Sequence, residues 1–329
     1  MAPVHPSAIL FEGEEIPPVL PVCDHYAGQE ALIRKSLSLQ GRMGPVFDVT
    51  ADCEDGAEVG RELEHARMIG DLLASTENRF ERMGARIHDP GGRIWHAELE
   101  LIIRAAGARL AYVTIPKVER LEHVEKVLAA IDDMASQFGV RRQIPVHVLI
   151  ETHGALREVQ ALAAHPRIQC LSFGLMDYVS AFRGAVPASA MTSPGQFEHP
   201  LIRRAKAEIS VAAHGRGKTP SHNVSVDIAD PDAAGRDAAR AAAEYGYTRM
   251  WSIHPGQIAP IVAALSPPAG EVALAAEVLV AAQAAQWGPI RHAGRLQDRG
   301  SYRHWWSLLQ RAHAAGAALP DDARRAFFE

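Results

Sequence analysis

Eight short apolar runs alternate along the chain with longer amphipathic or alanine-rich stretches, and this alternation constrains the fold more than any other feature. Apolar runs that alternate with helical stretches are typical of a parallel sheet built from βα units. Eight such units predict a (β/α)8 TIM barrel over residues 1–267, followed by a C-terminal helical extension or lid over residues 268–329. A doubly wound sheet is the alternative, but it normally has a glycine-rich phosphate loop after its first strand, and this sequence has none there. The predicted strands cover residues 19–23, 46–53, 82–88, 111–116, 146–151, 168–174, 218–224 and 249–255, and the predicted helices cover 28–40, 57–76, 95–107, 119–138, 154–164, 197–213, 231–245 and 256–265.

The second predicted strand carries acidic side chains where a buried strand is expected to be apolar. Its sequence VFDVTADC (46–53) alternates, with Phe47 and Val49 on one face and Asp48 and Asp52 on the other. Because charged groups are rarely buried without partners, the acidic face must meet cations, a metal, hydrogen-bond donors or water. We therefore expect this face to point into the mouth of the barrel, where such partners can neutralise it.

The composition indicates a protein that acts on small molecules. A net charge of −5 and a pI near 6.3 argue against a general nucleic-acid binder. The three cysteines have no CxxC spacing, so neither a disulfide framework nor a cysteine zinc site is predicted. The first residues lack the basic and apolar regions of a signal peptide, and no apolar run is long enough to span a membrane. We expect a cytoplasmic protein with no nucleic-acid partner and no membrane partner.

Charged and polar residues recur where the predicted strands end. In barrels of this type the catalytic groups lie at the C-terminal ends of the strands and in the loops that follow. The recurrence across six units therefore indicates an active site at that end, although solvation or a local ion pair remains the alternative for each single charge. The residues are Asp52, Glu54, Asp55, Arg86, His88, Lys117, Glu151, Asp177 and His254.

Glu151 and Asp177 follow adjacent predicted strands, and two carboxylates placed in this way can supply oxygen ligands to one hard cation. Mg²⁺ is the indicated ion because it prefers oxygen ligands and keeps several waters. No pair of histidines has the spacing of zinc ligands.

In their order and spacing, six short stretches resemble the HpcH/HpaI aldolase and citrate lyase β-subunit superfamily of CoA-ester lyases. The resemblance covers roughly residues 44–310. It implies a Mg²⁺-dependent lyase that reversibly cleaves a hydroxyacyl-CoA, of the citryl-, malyl- or citramalyl-CoA kind, into an acyl-CoA and a 2-oxo acid. The stretches are DCEDGA (52–57), ARIHD (85–89), IPKVE (115–119), LIETHGAL (149–156), FGLMDYVSAF (173–182) and WSIHPGQI (251–258).

The resemblance implies a role for the matching residues. Glu151 and Asp177 would bind Mg²⁺, and Arg86 would hold the carboxylate or carbonyl oxygens of the substrate. Glu54 and Asp55 would fix Arg86 and metal-bound waters.

The resemblance also implies contributions from outside these carboxylates. The resemblance implies that Asp298 in GRLQDRG would transfer the proton to or from the acyl-CoA enolate. In the malyl-CoA lyase branch that Asp comes from a neighbouring subunit, so we expect a homo-oligomer, either a trimer or a hexamer. Apart from the resemblance, we expect Lys117 and His25 to contact the substrate, because both stand at predicted strand ends.

Departures from the family pattern leave the substrate open. The stretch VLPVCDHYAG (19–28) replaces the usual Arg-Ser-x-Leu-Phe-Val-Pro-Gly, and His88 stands where Asn is usual. Two alternatives therefore remain, a non-CoA class II pyruvate aldolase or hydrolase, and a carrier-protein-dependent subunit of a citrate lyase complex. We interpret His254 as a structural residue that hydrogen-bonds the next loop, and Trp305 and Trp306 as packing residues.

Overall fold

The computed structural model describes residues 4–11, 14, 17–57, 59–230 and 232–329. Within these residues, eight parallel strands close into a barrel in which each strand pairs with the next along the chain and the eighth pairs with the first. The predicted (β/α)8 barrel is therefore confirmed. The barrel strands are β1 Cys23–Ala27, β2 Phe47–Asp52, β3 Met83–Arg86, β4 Val113–Ile115, β5 Val146–Ile150, β6 Ile168–Phe173, β7 Thr219–His222 and β8 Arg249–Ser252.

Helices follow the strands and cover them with their apolar faces. The alanine-rich helix after β7 ends where the sequence predicts, because Gly246 adopts the left-handed backbone (φ 73°) that terminates a helix. The predicted helices at 57–76 and 231–245 include residues 58 and 231, which lie outside the described residues. The helices are α1 Pro6–Leu10, α2 Glu30–Met43, α3 Glu62–Ala74, α4 Ile94–Ala106, α5 Leu121–Gln137, α6 His153–Arg157, α7 Val159–Ala164, α8 Leu175–Ser180, α9 Gly195–Glu198, α10 Pro200–His214, α11 Ala233–Tyr245, α12 Ile258–Leu265, α13 Ala269–Ala284, α14 Arg299–Ala314 and α15 Asp321–Phe327.

The first strand is the one strand that the sequence analysis placed wrongly. The most apolar run, residues 19–23, was expected to form it, but β1 begins at Cys23 and runs through Asp24 and Tyr26. Pro21 has no N–H for a strand ladder, which disfavours a central strand there. Asp24 is tolerated inside the barrel because Arg249 of β8 lies 3.1 Å away. Each of the other seven predicted strands contains the observed one.

The chain divides into two compact units. The barrel unit is Cys23–Leu265, and the second, helical unit combines the described residues before Cys23 with Ser266–Glu329. The sequence analysis placed those first residues in the barrel domain, whereas the structure groups them with the C-terminal extension.

The helical unit has a core of its own. Trp306 is buried in it together with Leu10 of α1 and Leu279 of α13, and Trp305 packs against the same cluster. The two tryptophans therefore pack, as predicted, but in the core of their own helical unit, whereas docking on the barrel or on a neighbouring subunit was expected. A short antiparallel hairpin, formed by β9 Ile290–His292 and β10 Arg295–Gln297, precedes α14.

Among the described residues, no single helix is long and apolar enough to cross a membrane. The consecutive segments Pro255–Leu265 and Ala269–Ala284 meet the length and composition criteria only when they are taken together.

Candidate active site

A cavity of about 370 Å³ opens in the barrel unit where the strands end. Its lining has a charged side and an apolar side, as expected for a site that orients a small molecule by a few polar groups. The charged side includes Asp52, Asp55, Arg86, Glu151 and Asp177, and the apolar side includes Tyr26, Phe173, Leu175, Val224, Trp251 and Ile253.

Arg86, the last residue of β3, is the centre of the charged side. Its Nε and Nη2 donate to the two carboxylate oxygens of Asp52 at 2.7 and 2.6 Å. Its Nη1 lies 2.9 Å from Glu54 Oε2 and 3.6 Å from Asp55 Oδ2. Burial opposes the charge on Arg86, but these carboxylates outweigh burial and raise the pKa of the guanidinium. Arg86 is therefore a fixed, permanently charged group.

Asp52 is the functional residue whose role the sequence analysis missed. Glu54 and Asp55 were predicted to fix Arg86, yet the bidentate partner is Asp52, while the Asp55 side chain is 64% exposed. Asp52 also accepts hydrogen bonds from the backbone N–H groups of Glu54 and Gly56. Burial opposes its charge, but Arg86 and these donors lower the pKa of Asp52. Strand alternation was the available signal, because it points Asp52 inward beside the end of β3.

Lys117 joins Glu54, Glu151 and Asp177 into one group. Its Nζ lies 2.7 Å from Asp177 Oδ1, 3.9 Å from Glu54 Oε1 and 4.0 Å from Glu151 Oε1. Its backbone is left-handed (φ 53°), and its N–H donates to Glu151 Oε1 at 2.6 Å. The structure therefore brings all four residues together, as the sequence predicts for the strand ends.

We call Asp52, Glu54, Asp55, Arg86, Lys117, Glu151 and Asp177 the mouth cluster. It holds two cationic side chains and five carboxyl groups. Burial raises the pKa of Glu54 to about 7 although Arg86 opposes the shift, and burial raises the pKa of Glu151 to about 7 although Lys117 opposes it. Burial thus makes the charged form of both carboxyl groups unfavourable, and a bound divalent cation would offset this cost.

The residues present fit a magnesium ion. Among the described residues, no group of three or more His, Cys, Asp or Glu side chains is arranged to hold a metal alone. Mg²⁺ does not need such a group of three side chains, because it binds through one or two carboxylates and keeps several waters. A Cβ at Gly174 would lie 2.4 Å from Glu151 Cβ and 2.5 Å from its Oε2, so glycine is required beside this carboxylate.

The apolar side of the cavity is built around two stacked rings. Tyr26 of β1 and Trp251 of β8 lie on neighbouring strands, with ring centroids 4.9 Å apart and planes inclined by 26°. The Tyr26 ring centroid is 5.5 Å from Arg86 Cζ. The apolar and charged sides therefore meet at Arg86.

The structure does not bring His25 to this cavity. His25 lies on the face of β1 opposite to Tyr26, where its Nδ1 shares a 2.7 Å hydrogen bond with Ser252 Oγ. Burial, with a smaller contribution from His254, lowers the pKa of His25 to about 4. This position lends no support to the predicted substrate contact.

Two other histidines at strand ends are held by their own neighbours. His254 Nδ1 accepts the backbone N–H of Gly256 at 3.1 Å, which confirms the predicted structural hydrogen bond. His88 Nδ1 lies 2.6 Å from Glu98 Oε1, and this hydrogen bond raises the pKa of His88.

Asp298 belongs to the helical unit, where it caps α14. Its Oδ1 accepts the backbone N–H groups of Gly300 and Ser301 at 3.1 and 3.4 Å. The residue is exposed. Its role in proton transfer stays a prediction.

Sequence comparisons place these features in a known group of proteins. The profile of the HpcH/HpaI aldolase/citrate lyase family matches residues 50–255. An L-malyl-CoA/beta-methylmalyl-CoA lyase from Rhodobacter capsulatus is 25% identical over 279 residues, covering 81% of this chain and 87% of that protein. A citrate lyase subunit beta-like protein from Mycobacterium tuberculosis is 27% identical over 269 residues, covering 81% of this chain and 88% of that protein.

Solved structures agree with this placement. A citrate lyase from Burkholderia xenovorans LB400 is 53% identical with a TM-score of 0.85, covering 98% of this chain and 100% of that chain. The protein CitE from M. tuberculosis, solved with magnesium, acetoacetate and coenzyme A, shares the fold at 21% identity, with a TM-score of 0.63 and coverage of 90% and 98%. The predicted resemblance and the predicted enzyme class are confirmed. This chain belongs to the HpcH/HpaI aldolase/citrate lyase family and is a carbon–carbon lyase.

Proposed function

We propose that the protein is a Mg²⁺-dependent lyase that reversibly cleaves a 3-hydroxy-3-carboxy acyl-CoA into an acyl-CoA and a 2-oxo acid. The observation that carries this proposal is the mouth cluster, in which a buried arginine adjoins the carboxylate pair Glu151 and Asp177 at one cavity. The kinship with malyl-CoA lyase supports the thioester and the oxo acid as the two halves of the substrate.

Arg86 would hold the carboxylate of the oxo-acid half. Asp52 engages the Nε–Nη2 edge of the guanidinium, so its position is set before substrate arrives. A hydrogen-bond donor that is already in position does not have to reorient during the reaction, so it stabilises developing negative charge effectively. Lys117 would add a second positive charge at the same side of the cavity.

Glu151 and Asp177 would hold Mg²⁺, because both carboxyl groups line the cavity and follow adjacent strands. The bound ion would polarise the 2-oxo acid's carbonyl and offset the negative charge on that oxygen. Glu54 and Asp55 would then help to orient Arg86 and waters around this centre.

The reaction balances without an oxidant or a reductant. In the cleavage direction the hydroxyl group gives its proton to a base and becomes the carbonyl of the 2-oxo acid. The bond between the two carbons breaks, and its electron pair forms the enolate of the acyl thioester. The enolate then takes up one proton, so that protons lost and gained are equal.

We also propose a homo-oligomer, a trimer or a hexamer, in which Asp298 of one chain supplies that proton in the site of another. Family resemblance supports this arrangement. In this chain Asp298 is exposed and its carboxylate is held by the first turn of α14.

The function is tested by incubating the purified protein and Mg²⁺ with citryl-, malyl- and citramalyl-CoA and measuring release of 2-oxo acid. We expect release from at least one thioester and none with Glu151→Gln, a nearly isosteric control. Cleavage of the free hydroxy acid would instead identify an aldolase that does not need CoA. Cleavage only of a carrier-protein thioester would identify a subunit of a citrate lyase complex, and either result contradicts the proposal.

A further inference from the structure

The aromatic pair Tyr26 and Trp251 forms a wall directly beside Arg86. The two rings are stacked, and the Tyr26 ring is 5.5 Å from the guanidinium carbon. Both residues line the cavity, yet the chemistry proposed above does not use either of them.

This wall is a small apolar cluster separate from the main core. Tyr26, Leu149 and Trp251 are buried together, and the half-buried Val224 packs against them. The two rings are therefore held by their contacts with each other, Leu149 and Val224. An apolar surface in a cavity selects for ligands that cover it.

We propose that this wall selects a 2-oxo acid that carries an alkyl group on its carbonyl carbon, as in pyruvate, over glyoxylate, which carries hydrogen there. The inference rests on the proposed function, because it takes Arg86 as the group that holds the acid's carboxylate. In a 2-oxo acid the substituent is only two bonds from the carboxylate carbon, so an acid held by Arg86 places its substituent beside the Tyr26 ring. An alkyl group then covers apolar surface that hydrogen leaves exposed to water.

The cleavable substrate is therefore a tertiary alcohol, with an alkyl group and a carboxylate on the carbon that bears the hydroxyl. The alkyl group takes no part in the bond changes given above. One extra carbon in an apolar pocket typically changes kcat/KM by about 10- to 200-fold, so we expect at least a tenfold preference for pyruvate.

Calorimetry in the presence of Mg²⁺ tests the selection without turnover. The affinity ratio of pyruvate to glyoxylate is measured for the wild type and for Trp251→Ala, and hydration of glyoxylate cancels when the two ratios are compared. We expect Trp251→Ala to lower the ratio by about tenfold. Tyr26→Phe and Trp251→Phe keep an apolar ring and should stay within about threefold of the wild type.

Two further variants separate selection from folding. Trp95→Leu removes a buried indole that does not line the cavity, and it should leave the ratio unchanged. Should Trp251→Ala fail to fold, Val224→Thr places a hydroxyl in the same wall at a half-buried position and should lower the ratio in the same direction.

The outcomes distinguish this inference from the proposed function. An unchanged ratio in folded Trp251→Ala or Val224→Thr, or no pyruvate binding by the wild type, overturns the selection. If the ratio falls as expected but no acyl-CoA condenses with pyruvate, the proposed function fails and the selection stands. A tenfold fall in the kcat/KM ratio for condensation, parallel to the affinity ratio, would support both.

Discussion

Two arginines are buried in the same barrel between carboxylates of neighbouring strands, and their surroundings differ. In the core cluster, which consists of Asp24, Asp48 and Arg249, Nη2 of Arg249 lies 3.1 Å from Asp24 Oδ2 and 2.7 Å from Asp48 Oδ2. Thr50 and Tyr112 donate further hydrogen bonds to Asp24 Oδ1 at 2.7 and 2.9 Å. No side chain of the core cluster is more than 1% exposed.

The mouth cluster, by contrast, opens to the cavity and carries more negative than positive side chains. The core cluster pairs one arginine with two carboxylates, whereas the mouth cluster sets Arg86 and Lys117 against five. Burial of an arginine is therefore not what marks it as functional, because Arg249 is buried more deeply than Arg86. Access to the cavity and a larger surplus of carboxyl groups distinguish the mouth cluster. We expect loss of the core cluster to cost stability and loss of the mouth cluster to cost activity.

The largest expected effect is on stability and comes from Arg249→Met. Removing the guanidinium leaves Asp24 and Asp48 buried without the cation that both contact, with only the more distant Arg82 still 3.9 Å from Asp48. This loss should lower the free energy of unfolding by about 3–5 kcal/mol. Urea unfolding measures this difference. Arg204→Met, which breaks an exposed ion pair with Glu208, is the matched control and should cost less than about 1 kcal/mol. If both substitutions lowered the free energy of unfolding equally, burial would not explain the importance of the Arg249 ion pairs.

The next effect is on catalysis and comes from Arg86→Lys. Lysine cannot reproduce the planar fork that meets Asp52 on one edge and that we propose meets a substrate carboxylate on another. We expect kcat/KM to fall by an amount equivalent to about 2–4 kcal/mol. Arg82→Lys, at a partly exposed position 3.9 Å from Asp48, should leave kcat/KM unchanged. Near-native kinetics of Arg86→Lys would exclude Arg86 from the site.

The affinity for Mg²⁺ should depend on the mouth cluster and not on the core cluster. Glu151→Gln and Asp177→Asn each replace a charged oxygen ligand by a neutral one, so the Kd for Mg²⁺ should rise by more than about 100-fold in calorimetry. Asp48→Asn, in the core cluster, should leave the Kd of the folded protein unchanged. If Asp48→Asn weakened Mg²⁺ binding as much, the two clusters would not be independent.

A pH effect of smaller size follows from the burial of two carboxyl groups in the mouth cluster. Glu54 and Glu151 have pKa values of about 7 in the folded, metal-free protein, against an ordinary value of 4.5. The folded state therefore holds their protons more tightly, and their contribution to stability is complete below pH 4.5 and lost as pH rises through about 7. The slope is up to about 1.4 kcal/mol per pH unit for each group.

Urea unfolding in EDTA between pH 4.5 and 7 measures that slope. The double variant Glu54→Gln/Glu151→Gln should flatten this slope. Burial also raises the pKa of Asp48, which is unchanged in the double variant and still contributes to the pH dependence. An identical slope in the wild type and the double variant would show that folding does not raise the pKa of Glu54 and Glu151.

The smallest expected signal is a recovery of activity that tests Asp298. Inactive Asp298→Ala chains mixed with inactive Glu151→Ala chains should regain about a quarter of the wild-type activity if sites are shared between subunits, since half of the barrels and half of the supplied segments are native. No recovery would place Asp298 in its own chain's site. Full activity of Asp298→Ala alone would end its proton-transfer role.

The sequence alone was sufficient for the barrel and for most of the mouth cluster. Strand alternation and the order of βα units predicted seven of eight strands, and the strand ends predicted that Glu54, Lys117, Glu151 and Asp177 would meet. These inferences hold because period two and the common direction of parallel strands are local properties of the chain.

The acidic face of β2 shows where that reasoning stops. Asp48 and Asp52 lie on one face, as predicted, but they are four steps apart along the strand, a distance of about 13 Å. Asp52 reaches Arg86 at the cavity, whereas Asp48 is sealed against Arg249. The expectation that the whole face points into the mouth was therefore wrong for Asp48.

The sequence by itself thus determined which residues share a strand face and which end of the barrel carries the charges. Only the tertiary structure decided that β1 runs through Asp24, that Asp52 is the bidentate partner of Arg86, and that His25 faces away from the cavity. Each of these depends on a partner from another strand, namely Arg249, Arg86 and Ser252. Whether a buried charge or histidine is neutralised, positioned or turned away is set by groups far along the chain, which no local pattern encodes.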